Sequence, residues 1–196
     1  MLELPFLVGG LFGVRHTFEA DHVAAVATLV EDDDRPVTAG LAWGVGHCLP
    51  VLALGGLFLA LGVELPALAN RVVEFAVAAL LVLLGVRVLL DRPPIGSRLF
   101  DHDHTDEASF LVGIVHGFAG SGGVVVALAA AAGSSLAGAG FLAGFSVATV
   151  VGMGLASWGV GHAVGRLRPL RLVAGLASVV VGLLLGLETL GLSLGL

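Results

Sequence analysis

Between Leu4 and Val30 the chain is long and apolar enough to cross a bilayer, yet the middle of that run reads Arg15-His16-Thr17-Phe18-Glu19-Ala20-Asp21-His22. This stretch restricts the fold more than any other. A charged side chain at bilayer depth costs about 2.5–3.5 kcal/mol even on lenient insertion scales, and it persists where it lines a cavity, pairs or binds an ion. At about 100° per residue, His16, Glu19 and His22 share one arc of a regular helix, whereas Asp21 points to nearly the opposite side. Either the helix unwinds here or Asp21 serves a different shell. Imidazole nitrogens with carboxylate oxygens suit borderline divalent ions such as Ni, Co or Zn, and a carboxylate can also fix a histidine tautomer from behind. The plainer alternative is an Arg15–Glu19 pair with the histidines bonded to backbone carbonyls. Two histidines and two acids so close together at this depth favour ion handling.

Composition agrees with a membrane setting. The 196 residues are 57% apolar and only 12% charged, and 30 are glycine, with a mean hydropathy of +1.04. A soluble domain has about 25% charged residues, so a water-soluble globule is excluded. One cysteine rules out an intrachain disulfide and a Cys-based zinc cluster. The basic residues are all arginine, and a net charge of −6 argues against nucleic acid.

Six stretches reach spanning length: Leu4–Val30, Val37–Leu61, Leu68–Leu90, Phe110–Ala132, Leu136–Val160 and Leu170–Leu192. No basic stretch or small-residue cleavage site precedes the first, so it is expected to be retained. Arg35, Arg92, Arg98, Arg166, Arg168 and Arg171 fall in the loops after the first, third and fifth runs, against Arg71 alone on the other side. By the positive-inside tendency, loops 31–36, 91–109 and 162–169 are cytoplasmic and both termini lie outside.

A shift of 100 positions lays Gly13-Val14-Arg15-His16-Thr17-Phe18 on Gly113-Ile114-Val115-His116-Gly117-Phe118, and Ala39-Gly40 with Gly44 on Ala139-Gly140 with Gly144. Three spans per repeat is an odd number, so the halves would be inverted, a common transporter plan with its site at the repeat interface. The expected fold is therefore an all-α integral membrane protein. A single domain, 1–196, holds six transmembrane helices as two inverted three-helix repeats. These cover 1–91 and 109–196, joined by the acidic, His-containing loop 91–109.

Other spans add candidates. His47 precedes Pro50, which cannot donate to the carbonyl of Gly46 and so should break the ladder beside it. His116 opens the Gly-rich His116-Gly117-Phe118-Ala119-Gly120-Ser121-Gly122-Gly123. The small residues at Gly40 and Gly44, Gly113 and Gly117, and Gly140 and Gly144 also suit close helix packing. Cys48 is a soft donor, though a lone buried cysteine is more often filler. His102 and His104 sit in an acidic loop suited to collecting or releasing metal, or simply to solvation. Trp43-Gly44-Val45-Gly46-His47 recurs as Trp158-Gly159-Val160-Gly161-His162; an interfacial aromatic belt accounts for both tryptophans, and His162 is given no site. A rival class, an intramembrane serine hydrolase using Ser121, lacks the G-x-S-x-G context because Ala119 holds the first glycine position.

These residues resemble the NiCoT/NicO superfamily of nickel/cobalt permeases, most closely its short branch of urease- or hydrogenase-accessory membrane proteins. The H-x4-D-H hallmark stands as His16, Asp21 and His22, a second motif as Gly40–His47, and a third as Val112–Ser121, with Cys48 where the family commonly has a hydroxyl residue. The resemblance implies a permease for Ni²⁺ or Co²⁺, most readily for uptake, although the superfamily also contains exporters. The metal is cargo: no prosthetic cofactor and no catalysis are expected. His16, Asp21, His22 and His47 would bind or gate the ion, with Glu19 and His116 contributing. Partners would be the ion, the bilayer and either a second copy or metallochaperone, urease or hydrogenase maturation proteins.

Overall fold

The computed structural model describes residues 2–30, 35–61, 67–90, 105–118, 125, 129, 131–164 and 168–191. These hold seven helices: α1 (Glu3–Thr17), α2 (Ala20–Leu29), α3 (Pro36–Leu61), α4 (Ala67–Leu89), α5 (Thr105–Gly117), α6 (Ser135–Val164) and α7 (Arg168–Thr189). Three are long and apolar enough to cross a membrane: Pro36–Leu61, Ser135–Ala163 and Pro169–Thr189. The outward side chains are large and apolar, among them Leu4, Leu7 and Leu11 on α1, Val151 and Leu155 on α6, and Val173, Leu176, Val180 and Leu183 on α7. The buried polar side chains include four histidines, His16, His22, His47 and His116. A molecule that is oily outside and polar within belongs against lipid, and the chain associates with a membrane.

Two expected spans are not continuous helices. The run Leu4–Val30 divides into α1 and α2 at Phe18 and Glu19. Thr17 turns its hydroxyl back onto the carbonyl of Gly13 at 3.0 Å, a competing bond that bends helices. Phe18 and Glu19 donate to Arg15 and His16 over tightened i−3 spans of 3.1 and 3.0 Å, and Glu19 is extended, with φ −64° and ψ 146°. Of the two options for the polar stretch, unwinding is the one taken. The run Phe110–Ala132 begins earlier, at Thr105, so α5 takes the end of the expected loop 91–109, and it stops at Gly117. Pro50, by contrast, sits inside an unbroken α3; the missing donor at Gly46 does not end the helix.

Glycines set how closely the helices pass. A Cβ at Gly9 or Gly13 would press into the backbone of Phe141 or Phe145, and one at Gly144 into that of Phe6, so α1 and α6 run parallel with their backbones touching. A Cβ at Gly113 or Gly117 would strike the backbone of Trp43 or His47, which makes α3 and α5 parallel in the same way. Gly40 faces Met153 and Ser157 while Gly44 faces Val150, so α3 and α6 are antiparallel. Gly85 faces Gly175 and Gly182 faces Ala78, so α4 and α7 are antiparallel too. The core between them falls into three groups, one around Trp43, Leu84 and Met153, one around Val51, Phe141 and Phe145, and one joining Ala24 and Ala25 to Val77 and Leu81.

These contacts predict opposite outcomes for two alanine substitutions. Gly13→Ala should lower the thermal stability of detergent-purified protein by about 1–3 kcal/mol, the usual range for overpacking. Gly159→Ala, where a Cβ would meet nothing within 4 Å, should be neutral or stabilising, since alanine is the better helix former by about 0.8–1.0 kcal/mol. Melting curves of both variants, read by static light scattering, check the contrast; equal loss in both would refute the backbone contact at Gly13.

Candidate metal centre

The break between α1 and α2 brings unlike helix ends together. His16 lies in the last turn of α1 and His116 in the last turn of α5, where the helix dipole favours positive charge. Glu19 and Asp21 lie at the first turn of α2, where it favours negative charge. His22 follows on α2, and His47 projects from the middle of α3. All six predicted ligands meet in one cluster.

The hydrogen bonds decide which ring nitrogens remain open. A carboxylate can only accept, so a ring bonded to one carries its proton on the bonded nitrogen. Asp21 accepts from Nδ1 of His22 at 2.9 Å through one oxygen and from Nε2 of His116 at 3.0 Å through the other. The first oxygen also takes the backbone N–H of His22 at 3.0 Å. Glu19 accepts from Nδ1 of His16 at 3.0 Å, so Glu19 pairs with a ring of the cluster rather than forming the Arg15 pair weighed above. His16 then presents the lone pair of Nε2, and Nε2 of His47 stands 3.0 Å away. With neutral rings, His47 donates there and keeps a lone pair at Nδ1. His22 Nε2, His47 Nδ1 and His116 Nδ1 are buried with no hydrogen-bond partner among the described residues.

A buried polar atom without a partner is costly, and three of them converge in this cluster. Two donor groups are close enough for an ion, His16 with His22 and His47, and Asp21 with His22 and His116; within each, one ligand atom per residue lies within 4.8 Å of the others. Four neutral imidazoles and two carboxylates sum to a formal charge of −2, the complement of a divalent cation.

Trp43, assigned above to an interfacial belt, is instead 1% exposed and belongs to this cluster. Its ring stacks on His47 at 5.1 Å and 4°, meets His22 edge-on at 5.1 Å and touches His116 at 5.2 Å. The spacing of Trp43 and His47, one turn apart on α3, carried that signal. Trp158 is exposed, and His162 bonds the carbonyl of Trp158 at 3.0 Å. Cys48 faces away, its thiol donating to the carbonyl of Ser146 at 3.6 Å, and it is in neither donor group. His102, His104 and Ser121 lie outside the described residues.

Comparison with known proteins was made against families, curated sequences and solved structures. No family model matches, and no solved structure matches at a significant level. The chain is 33% identical over 163 residues to the chloroplast protein FOR GROWTH AND FERTILITY 2 of Arabidopsis thaliana, covering 74% of this chain and 44% of that longer one. It is 30% identical over 164 residues to the urease accessory protein UreH of Bacillus sp. (strain TB-90), covering 74% of this chain and 71% of the relative. With a likeness of that extent across both chains, the protein belongs to the family of the urease accessory protein UreH.

Proposed function

We propose that this chain is a multi-pass permease that carries a divalent transition-metal ion, Ni²⁺ ahead of Co²⁺, into the cell through the His/Asp cluster. The observation that carries this reading is the set of buried imidazole nitrogens without partners, convergent at the broken helix ends. A structural histidine core would satisfy them. Nickel stands first because the H-x4-D-H pattern and the kinship to a urease accessory protein point the same way. UreH is named as accessory to an enzyme, and in this reading the present chain handles metal and catalyses no bond change.

In this reading the chain crosses the membrane six times, with α1 and α2 together as one crossing and α5 opening another. The halves are inverted repeats pairing α1 with α5, α3 with α6 and α4 with α7. Support comes from direction. Because α1 parallels α6, α6 opposes α3 and α3 parallels α5, the first pair is antiparallel, as are the other two. The matched half-helices also end at matched residues, Thr17 and Gly117. The Arg35–Asp106 pair at 4.0 Å ties the starts of α3 and α5 to one face, which the arginine distribution makes cytoplasmic. Both termini are then outside. A membrane potential negative inside favours cation entry by about 2.3 kcal/mol per charge per 100 mV, so uptake needs no further energy source, and metallochaperones or urease and hydrogenase maturation proteins would receive the ion.

Two measurements test the proposal. Cells expressing the wild type should accumulate radioactive nickel, and cells expressing His22→Ala at equal membrane abundance should fall to background; equal accumulation in both would sink the site assignment. In purified Trp158→Phe protein, where Trp43 is the sole tryptophan, Ni²⁺ should quench the emission saturably, because the indole lies within about one ring width of His22, His47 and His116. Unchanged emission at saturating Ni²⁺ would place the ion elsewhere.

A further inference from the structure

The cluster contains two donor groups, not one, and they share a single residue. One is all nitrogen, His16 with His47 and His22; the other mixes oxygen and nitrogen, Asp21 with His116 and His22. The two groups draw on the matched half-helices separately, the first on the end of α1 and the second on the end of α5. His22 is central to both. Its ring centroid lies 4.1 Å from that of His16, 5.1 Å from His47 and 4.7 Å from His116, while His47 and His116 are 5.8 Å apart.

We propose that the ion occupies two alternative positions that share His22, and that it passes between them by exchanging His16 and His47 for Asp21 and His116. The proposal rests on the metal-permease reading and adds a route within its site. Its physical basis is the cost of a bare divalent charge at bilayer depth. An ion that let go of every ligand before taking new ones would meet that cost in full. An ion that keeps His22 throughout never does. Two metal–nitrogen bonds, to His16 and His47, give way to one metal–oxygen bond, to Asp21, and one metal–nitrogen bond, to His116, whose hydrogen bond to Asp21 is released and whose proton shifts to its other ring nitrogen.

The second position also differs in chemistry from the first. Asp21 supplies a charged oxygen, whereas the carboxylate of the first position, Glu19, reaches it only through the ring of His16. Asp21 holds His22 and His116 by hydrogen bonds when no ion is present. Occupying the second position therefore means replacing the contact between Asp21 and His116 with the metal, the proton on Nε2 of His116 passing to its open Nδ1, while Nδ1 of His22 stays on Asp21 and its open Nε2 serves the ion in both positions. The two positions are then mutually exclusive for one ion, since the shared nitrogen of His22 serves whichever is filled.

Cobalt binding to the purified full-length chain tests this, because Co²⁺ absorption reports its ligand set directly. His47→Gln disables the first position and His116→Gln the second, each keeping a polar side chain of similar size so that folding is preserved; size-exclusion profiles matching the wild type verify that. The wild type should bind one Co²⁺ per chain. Each single variant should still bind one, at least about tenfold more weakly, and the two should give different visible spectra. The His47→Gln/His116→Gln double variant and His22→Gln should both lose binding in the measurable range. If either single variant loses binding as fully as the double, the donors form one joint site and the two-position proposal is overturned while the permease reading stands. If the two single variants give identical spectra, it is likewise overturned. If the folded wild type binds no Co²⁺ or Ni²⁺, the permease reading itself fails.

Discussion

The hydrogen bonds from three imidazole rings to two carboxylates govern the arrangement of everything else. Asp21 joins α2 to α5 by holding His22 and His116 at once, and Glu19 ties the end of α1 to the start of α2 through His16. A carboxylate accepts and never donates when ionised, so these bonds dictate the tautomer of each ring and turn its opposite nitrogen inward. Buried away from water, such charges would be costly alone. Placed at the N-terminal end of α2 and against the C-terminal ends of α1 and α5, each sits where a helix dipole favours its sign. The broken helices and the polar cluster are thus one feature seen from two sides: the break creates the ends, and the ends make the charges tolerable.

Much of this was legible in the residues alone, for physical reasons. The polar stretch in an apolar run is loud against its background, and the geometry of a regular helix already set Asp21 at odds with His16, Glu19 and His22. The structure resolves that conflict by unwinding at Phe18 and Glu19, after which Asp21 no longer has to point away. His47 and His116 were found by their depth and glycine-rich surroundings. Trp43 was misread because tryptophan near the end of an apolar run is usually an interfacial anchor. Depth cannot be told from sequence when helices start several residues beyond their apolar core, as α5 does at Thr105. Pro50 removes one donor from the ladder, and a helix held on both sides by α5 and α6 continues through it.

Close packing by glycine is what lets helices from distant parts of the chain share so small a centre. With α1 against α6 and α3 against α5 at backbone contact, the side chains of His16, His47 and His116 reach a common point. Larger residues at those crossings would hold the backbones apart and leave the imidazoles short of one another. The high glycine content is thus concentrated where it sets interhelical distance, and at Gly159 and Gly56, which face open space, it sets nothing.

Because the cluster takes residues from positions 16 through 116, it cannot exist until α5 has joined the earlier helices. The residues of α1 and α2 are made well before those of α5, and until α5 joins them the ring partner of Asp21 is its neighbour His22. The arrival of His116 gives that carboxylate its second ring. A chain that stops before α5, or one whose halves fail to meet, therefore lacks the ring that occupies the second oxygen of Asp21, and the full set of bonds on that one carboxylate marks the point at which both halves are in place.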